Sequence, residues 1–459
     1  MISEPTETSQ AWAKRQFGAC QLGDQRRTQR AVQIAAAMHA APGASLPQQM
    51  QSWKATKAAY RFFSNEAYQY ADLLQPHWEQ TRQMAGQQAL VLLVQDLTTL
   101  DYTPYQQHIQ GLGRIGDNRG QGFQMTSVLA ILPQPRQVLG LAYQQPFFRK
   151  PHPAHETRSQ RARRAKESDV WVQAVAAIGA APPGVSWVHV GDRGADIYSF
   201  FDACRQQSSD FLVRICQNRR MFTPSGEVSY LKTFASQLPA ADEQILDLPA
   251  RSGQPARHAR LRLAFSPLWL SAGWMNAKGS PMLVWVIRVW EDTPPAGLPE
   301  PIEWFLLTSV PTQTLEQAWE RVGWYRCRWL VEDFHQCLKT GCQIEKRRLE
   351  EATSLLRLLA MLAPIATELL SLREQSRLEP EVPAASRLPD DLLRVVAHLS
   401  GRSPDGMTLQ EFWRSVAQQG GYLGRTRDGP PGWKSLWRGW IAIQTLLRGF
   451  RLASNPGFL

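Results

Sequence analysis

Two apolar runs, each closing on an aspartate, constrain this chain more than any other feature. They are Leu90-Val91-Leu92-Leu93-Val94-Gln95-Asp96 and Val185-Ser186-Trp187-Val188-His189-Val190-Gly191-Asp192. Short apolar runs of this kind read as buried central strands. Between and after them, Phe123 to Leu132 and Gln137 to Gln144 read as strands. Ser168 to Ile178 and Ala195 to Gln206 read as helices, and Phe211 to Ile215 as a short strand. The order is strands first, then helix, strand, helix, strand. That predicts a mixed α/β layer with helices packed on a sheet. From about residue 217 to 300 the rhythm changes. Ile245 to Leu248, Ala259 to Phe265 and Met282 to Trp290 look like strands joined by Gly- and Pro-containing loops, so a β-rich insertion is expected. Trp304 to Leu307 then returns to the main sheet.

Helices flank this core. Ala11 to Phe17, Gln25 to Ala40 with Asp24 as N-cap, and Ser52 to Phe63 read as helices. Arg26, Arg27 and Arg30 lie on the first turns of the second, and Lys54, Lys57 and Arg61 on the third. Cations at helical spacing can clamp the phosphates beside a groove, or can simply face water. Glu350 to Leu372 reads as one long helix. Residues 373 to 390 are polar, with Pro380, Pro383 and Pro389, and read as a linker. Tail helices are expected near 390–399 and 408–418 and from Trp433. There Trp433, Trp437 and Trp440 form an apolar stripe, suited to packing on the body or to self-association. The expected domains are 1–70, 71–372 with its insertion, and 373–459.

The chain has 459 residues, 43% of them apolar, enough for two to four cores. Lys and Arg outnumber Asp and Glu by 51 to 40, a formal charge of +11 that favours a polyanionic partner. The six Cys include no CxxC pair, which speaks against a structural zinc site. The longest apolar run, Leu355 to Leu370, is interrupted by Arg357 and Glu368 and reads as too short to span a bilayer. With no signal peptide apparent, the expected location is the bacterial cytoplasm, on DNA when bound.

A chemical constellation emerges from three places. The stretch from Tyr325 to Lys339 reads as one helix, with Tyr325, Arg328, Glu332 and Lys339 within an arc of roughly 60°. Trp324, Leu330, Val331, Phe334 and Leu338 occupy the core side. Asp96 and Asp192 both end apolar strands. If those strands are neighbours, the carboxylates converge, and Glu332 on a helix alongside completes a set of three. Acids without His or Cys favour Mg²⁺ or Mn²⁺. Two such ions activate an attacking oxygen and stabilise a leaving one in phosphoryl transfer.

The string Tyr325-x2-Arg328-x3-Glu332-x6-Lys339 matches the YREK signature, and the chain resembles the DDE transposases of the insertion-sequence-four family, the Tn-five type in particular. The likeness spans nearly the whole chain. It includes Leu22-Gly23-Asp24-x-Arg26-Arg27-Thr28-x-Arg30, Asp192-Arg193-x-Ala195-Asp196-Ile197 and Trp304-x-Leu306-Leu307-Thr308-Ser309. The resemblance implies an RNase H-like catalytic domain with Asp96, Asp192 and Glu332 as ligands of two metal ions. It implies that Tyr325, Arg328 and Lys339 hold end phosphates, that Trp304 stacks on a flipped base, and that Arg214 lies near the active site. Arg26, Arg27, Arg30 and Arg348 become contacts to transposon-end DNA, and the C-terminal region a dimerisation domain for the synaptic complex. It implies cut-and-paste transposition through a hairpin, with transposon ends and target DNA as partners and neither membrane nor small-molecule substrate. A nuclease or resolvase that cuts without joining, and a non-enzymatic DNA-binding descendant, are the alternatives. The chain departs from the Tn-five type in a basic loop, Arg149 to Lys166, and in Lys54, both where that type carries acids.

Overall fold

The computed structural model describes residues 8–149, 157, 166–248, 257–271, 281–293, 301–425 and 428–454. The basic loop 149–166 lies almost wholly outside them. Helices α1 (Ser9–Phe17), α2 (Gln25–Ala40), α3 (Leu46–Met50), α4 (Trp53–Phe63) and α5 (Tyr70–Ala85) open the chain. The Asp24 carboxylate accepts the Arg26 N–H at 2.8 Å and starts α2, and the Ser52 hydroxyl accepts from Ala55 at 3.2 Å to start α4. Each satisfies a donor that a helix start otherwise leaves open. Sequence reading misses α3 and α5. Pro76 inside α5 is a helix breaker by propensity, yet Leu73, Leu74, Pro76, His77 and Trp78 are all buried, and packing outweighs it.

The sheet follows. Its strands are β1 (Leu90–Asp101), β2 (Gly113–Ile115), β3 (Gly120–Leu132) and β4 (Gln137–Phe147). After helix α6 (Asp169–Ile178) comes β5 (Ser186–Gly191), then α7 (Tyr198–Gln206) and β6 (Asp210–Arg214). β7 (Arg220–Phe222), β8 (Val228–Tyr230), helix α8 (Leu231–Gln237), β9 (Asp242–Leu248), β10 (Arg257–Leu270) and β11 (Met282–Glu291) form the insertion, and β12 (Glu303–Thr308) closes the set. Among the described residues these twelve strands make one mixed sheet in the order β2-β3-β1-β5-β6-β12-β11-β10-β7-β8, with β4 on β3 and β9 on β10. β1, β5 and β6 run parallel, whereas β3–β4 and β6–β12 are antiparallel. The series β4-β3-β1-β5-β6, flanked by helices, is an RNase H-like core. The insertion is β-rich as expected, and it extends the same sheet: β11 pairs with β12 from Trp285↔Thr308 to Trp290↔Glu303.

Helical segments carry the chain from the sheet to its end region. α9 (Leu315–Arg326) begins in a capping box between Thr314 and Gln317, and α10 (Trp329–Gln336) follows after a turn at Cys327-Arg328. The expected single helix from Tyr325 to Lys339 is therefore two, and Lys339 stands in a wide five-residue π turn, Cys337–Gly341. The core side is as expected: Trp324, Leu330, Val331, Phe334 and Leu338 are buried. α11 (Ala352–Leu378) runs six residues into the stretch read as a linker. Its segment Ala352–Ser371 is long and apolar enough to cross a bilayer, contrary to the sequence reading. However, 83% of that window is buried inside the protein, as befits a core helix. α12 (Asp390–Ser400), α13 (Leu409–Gln419) and α14 (Trp433–Ala453) complete the chain. Trp440 packs against Trp413 with ring centroids 5.7 Å apart; the side chains of Trp433 and Trp437 lie outside the described residues.

By contacts the chain forms two compact units. One comprises Gln88–Asp96 and Ala165–Trp329, the other Met1–Gln87, Leu97–Arg164 and Leu330–Leu459. The first is cored by β1, β5 and β6 with Trp171, Phe200, Phe201 and Phe211, the last two stacked at 4.6 Å. In the second, α11 packs on β4 and α5. There the buried Arg357 guanidinium donates to the carbonyls of Phe63 and Tyr68, both at 2.9 Å. It thereby caps the end of α4, whose last carbonyls have no partner within the helix.

Candidate active site

The two aspartates stand side by side. β1 and β5 pair in parallel register from Leu90↔Ser186 to Val94↔Val190. Two residues further on, that register brings Asp96 level with Asp192, whose backbone is still extended (φ −83°, ψ −162°). Residues in parallel register face the same side, and neighbouring strands lie about 4.8 Å apart. Both carboxylates thus leave the same face at the same end of a buried strand pair. Asp192 also caps the short 3₁₀ turn Arg193–Ala195, accepting the Gly194 N–H at 2.7 Å. The turn is tight: a Cβ on Gly191 would lie 2.5 Å from that of Ala195, and one on Gly194 only 3.0 Å from the Trp171 ring. Glycine at both positions lets the chain fold back immediately after the strand.

Cations and aromatics surround this pair within the same unit. Arg328 Nη1 lies 3.2 Å from Asp96 Oδ2, and both side chains are largely buried. Its guanidinium sits over the rings of Trp329 at 4.8 Å and Tyr325 at 6.0 Å. Tyr325 is 3% exposed and meets Trp304 edge-on, with centroids 5.6 Å apart. Burial raises the Tyr325 phenol above its ordinary pKa, and Arg328 and Arg214 partly oppose that. The phenol therefore stays protonated, able to donate to a phosphate oxygen. Arg214, at the end of β6, donates to the Glu303 carbonyl at 3.0 Å. Its half-buried guanidinium has its pKa lowered by desolvation. Side chains far apart in sequence, Asp96, Asp192, Arg214, Trp304, Tyr325 and Arg328, thus lie on one unit.

One residue went unassigned in the sequence. Asp196 is 1% exposed, accepts the backbone N–H groups of Cys216 and Gln217 at 2.8 Å, and pairs with Arg219 at 2.7 Å. It ties the segment after Asp192 to the start of the insertion. Its presence in the Asp192-Arg193-x-Ala195-Asp196 string was the available signal.

The other expected residues belong to the second unit. Glu332 lies in the first turn of α10 and is half-buried. A buried polar chain fixes that helix: His335 Nε2 meets the Ser127 hydroxyl at 3.1 Å, Gln144 donates to Ser127 at 3.0 Å, and Tyr70 donates to Gln144. Asp333, beside Glu332, pairs with Arg373 of α11 at 2.5 Å. Arg348 is exposed, with its guanidinium 4.6 Å over the Tyr105 ring. Of the α2 arginines, Arg26 pairs with Asp24 at 3.0 Å, Arg27 donates to the Leu22 carbonyl at 2.9 Å, and Arg30 is exposed.

Carboxylate oxygens with no thiolate or imidazole are the donor set of a hard divalent cation, so the aspartate pair fits such an ion. Among the described residues, no group of three or more His, Cys, Asp or Glu gathers closely enough to hold one. What the structure brings together is the pair, with Arg328 on Asp96.

Two family models match the chain. One, described as transposase DNA-binding, covers residues 9–68; the other, described as transposase DDE domain, covers 161–365. The chain is a DNA transposase of the DDE class. The DNA-binding match of this transposase takes in α1 to α4, and the DDE match takes in Asp192, Trp304, Tyr325, Arg328, Glu332 and Lys339. Asp96 precedes the DDE match. Its link to the site is the strand register that sets it beside Asp192.

Proposed function

We propose that this transposase moves an insertion sequence by cut and paste, as a member of the insertion-sequence-four family with the YREK signature. It binds the terminal inverted repeats through its N-terminal helices, Arg26, Arg27 and Arg30 among the contacts, and Arg348 adds a further contact to the end. Asp96, Asp192 and Glu332 hold two Mg²⁺ or Mn²⁺ ions. When bound, these ions polarise the attacking oxygen and stabilise the leaving one. Each step exchanges one P–O bond for another, so no external energy source is needed. Water first frees a 3′-hydroxyl, which attacks the opposite strand to form a hairpin. The hairpin is then hydrolysed and the freed end joined to target DNA. Arg328, Tyr325 and Lys339 fix the phosphates flanking the scissile bond, because a guanidinium, a phenol and an ammonium supply donors for non-bridging oxygens. Trp304 stacks on a base displaced from the duplex, Arg214 supports the same pocket, and a homodimer pairs the two ends.

The observation that carries this reading is the in-register pair Asp96 and Asp192 with Arg328 and Tyr325 beside it. The test is cleavage of a labelled end duplex in Mg²⁺ with plasmid present. Asp96→Ala, Asp192→Ala and Glu332→Ala are each expected to lower cleavage at least a thousandfold while end binding persists. Normal strand cutting by Glu332→Ala removes it from the set. Hydrolysed ends without hairpins or joined products establish a nuclease instead.

A further inference from the structure

Helix α4 presents an unusual face to water. Trp53 is 78% exposed, the most exposed of the large apolar side chains among the described residues. Lys54, Lys57, Tyr60 and Arg61 share its exposure. These positions are i, i+1, i+4, i+7 and i+8, a continuous stripe along one side of a helix. The opposite side, Thr56, Ala59, Phe62 and Phe63, is buried. Neither α3 nor α4 contains an acidic residue, and Lys54, Lys57 and Arg61 make no ion pair with another described residue. An indole left in water beside three cations that pair with no described residue is poorly explained by folding.

The stripe is held rigidly and continues beyond the helix. Ser52 caps its start, and Arg357 fixes the carbonyl of its last residue, Phe63. At its far end Tyr60 lines a cavity of about 580 Å³, together with Tyr105, Lys346 and Arg348. Over residues 346–349 exposure alternates. Arg347 turns inward and donates to the carbonyls of Pro42 and Cys342 at 2.6 and 2.9 Å, while Lys346 and Arg348 face out. The exposed α4 cations and this cavity together form a surface of one sign on a single compact unit.

Resting on the end-binding reading above, we propose that α4 is the helix that reads the sequence of the transposon end. Trp53 is its specificity-determining contact, and Lys54, Lys57 and Arg61 hold the flanking phosphates, whose track passes into the Tyr60–Lys346–Arg348 cavity. The first turn of a recognition helix is the part that reaches base edges in a major groove. Trp53 occupies the first position of α4. An indole offers apolar contact to a thymine methyl and one N–H donor for a base acceptor. Phosphate contacts fix register without reading sequence, so the two kinds of residue separate in a binding assay. α2 is less suited to reading. Arg26 is held by Asp24 and Arg27 by a backbone carbonyl.

The test uses the full chain in EDTA, so that binding is read without cleavage. A preferred duplex is first selected by the wild type from a random-sequence pool. Affinity for it and for a scrambled duplex of equal length is then measured by fluorescence anisotropy over a range of salt. Trp53→Ala is expected to weaken binding to the selected duplex about tenfold or more and to leave the scrambled duplex unchanged. Lys54→Ala and Lys57→Ala are expected to weaken both duplexes alike and each to lower the salt slope by about one. A Trp53→Ala protein that keeps the full preference overturns the proposal while leaving the end-binding reading intact. If the wild type selects no preferred duplex, both fall. If Trp53→Ala weakens both duplexes equally, Trp53 is a general contact and its reading role is overturned.

Discussion

Gly191 shows how a residue with no chemistry of its own governs a residue that has some. It closes β5 just before Asp192, where a methyl group would lie 2.5 Å from that of Ala195. Neither methyl sits on a flexible arm, so Gly191→Ala must shift the turn and the Asp192 carboxylate with it. End cleavage is expected to fall at least tenfold, with duplex binding in EDTA unchanged; cleavage at the wild-type rate shows the turn to be tolerant. His77 makes a different point at the same scale. Its Nδ1 meets the Gln16 side-chain oxygen at 2.7 Å and its Nε2 accepts the Leu141 N–H at 3.2 Å, which fixes a neutral tautomer. Burial pushes its pKa down to about 3, as it does for His189 and His335. In each case the folded pKa is below the unfolded value near 6.5. The stability these groups contribute is therefore complete above about pH 6.5 and is lost as pH falls towards 3. Between pH 6.5 and 4.5 each accounts for about 2–3 kcal/mol. Urea denaturation is expected to show a marked fall in stability across that window, less steep in His77→Gln.

Among elements, the helices show where local rules suffice. α2 begins where Asp24 says it should, and α4 starts one residue after the expected Ser52, which caps it, because a cap is a contact between residues two or three apart. The two aspartate-ended strands are equally legible, since a run buried on both faces leaves a run of apolar residues. α5 is not, because Pro76 is acceptable only once the helix is buried. The break between α9 and α10 is hidden for a similar reason. Nothing local forbids helix at Cys327-Arg328, and the turn there accompanies an ion pair to Asp96, 232 residues away. Long-range polar contacts also decide how firmly an element is held. Arg357, fully buried on α11, caps α4 across nearly 300 residues of chain. Arg357→Ala leaves two carbonyls unpartnered in a dry site and should cost about 3 kcal/mol. That loss is measurable as a lowered unfolding midpoint, and proteolysis is expected to open first around α4. A midpoint equal to wild type shows that water replaces the guanidinium.

For the molecule as a whole, charge and fold divide the labour. The surplus of +11 supplies attraction to a polyanion without naming a sequence. A sheet that begins as an RNase H-like core and runs on through β12 and β11 into the insertion puts Trp304 and Arg214 on the unit that bears Asp96 and Asp192, and helix α9 adds Tyr325 to it. The DDE match and the DNA-binding match cover separate stretches of the chain, consistent with chemistry and recognition being carried by different elements.

What the sequence by itself determined was whatever depends on near neighbours. That includes the buried strands, the capped helices and the core side of the 325–339 stretch. Only the tertiary structure decided that Asp96 stands level with Asp192, that Arg328 turns out of a helix to meet Asp96, that Asp196 anchors the insertion, and that Trp53 is left in water. Each of these depends on which distant segments share a strand register or a buried face. Periodicity carries no information about that, because it reports burial without reporting the partner.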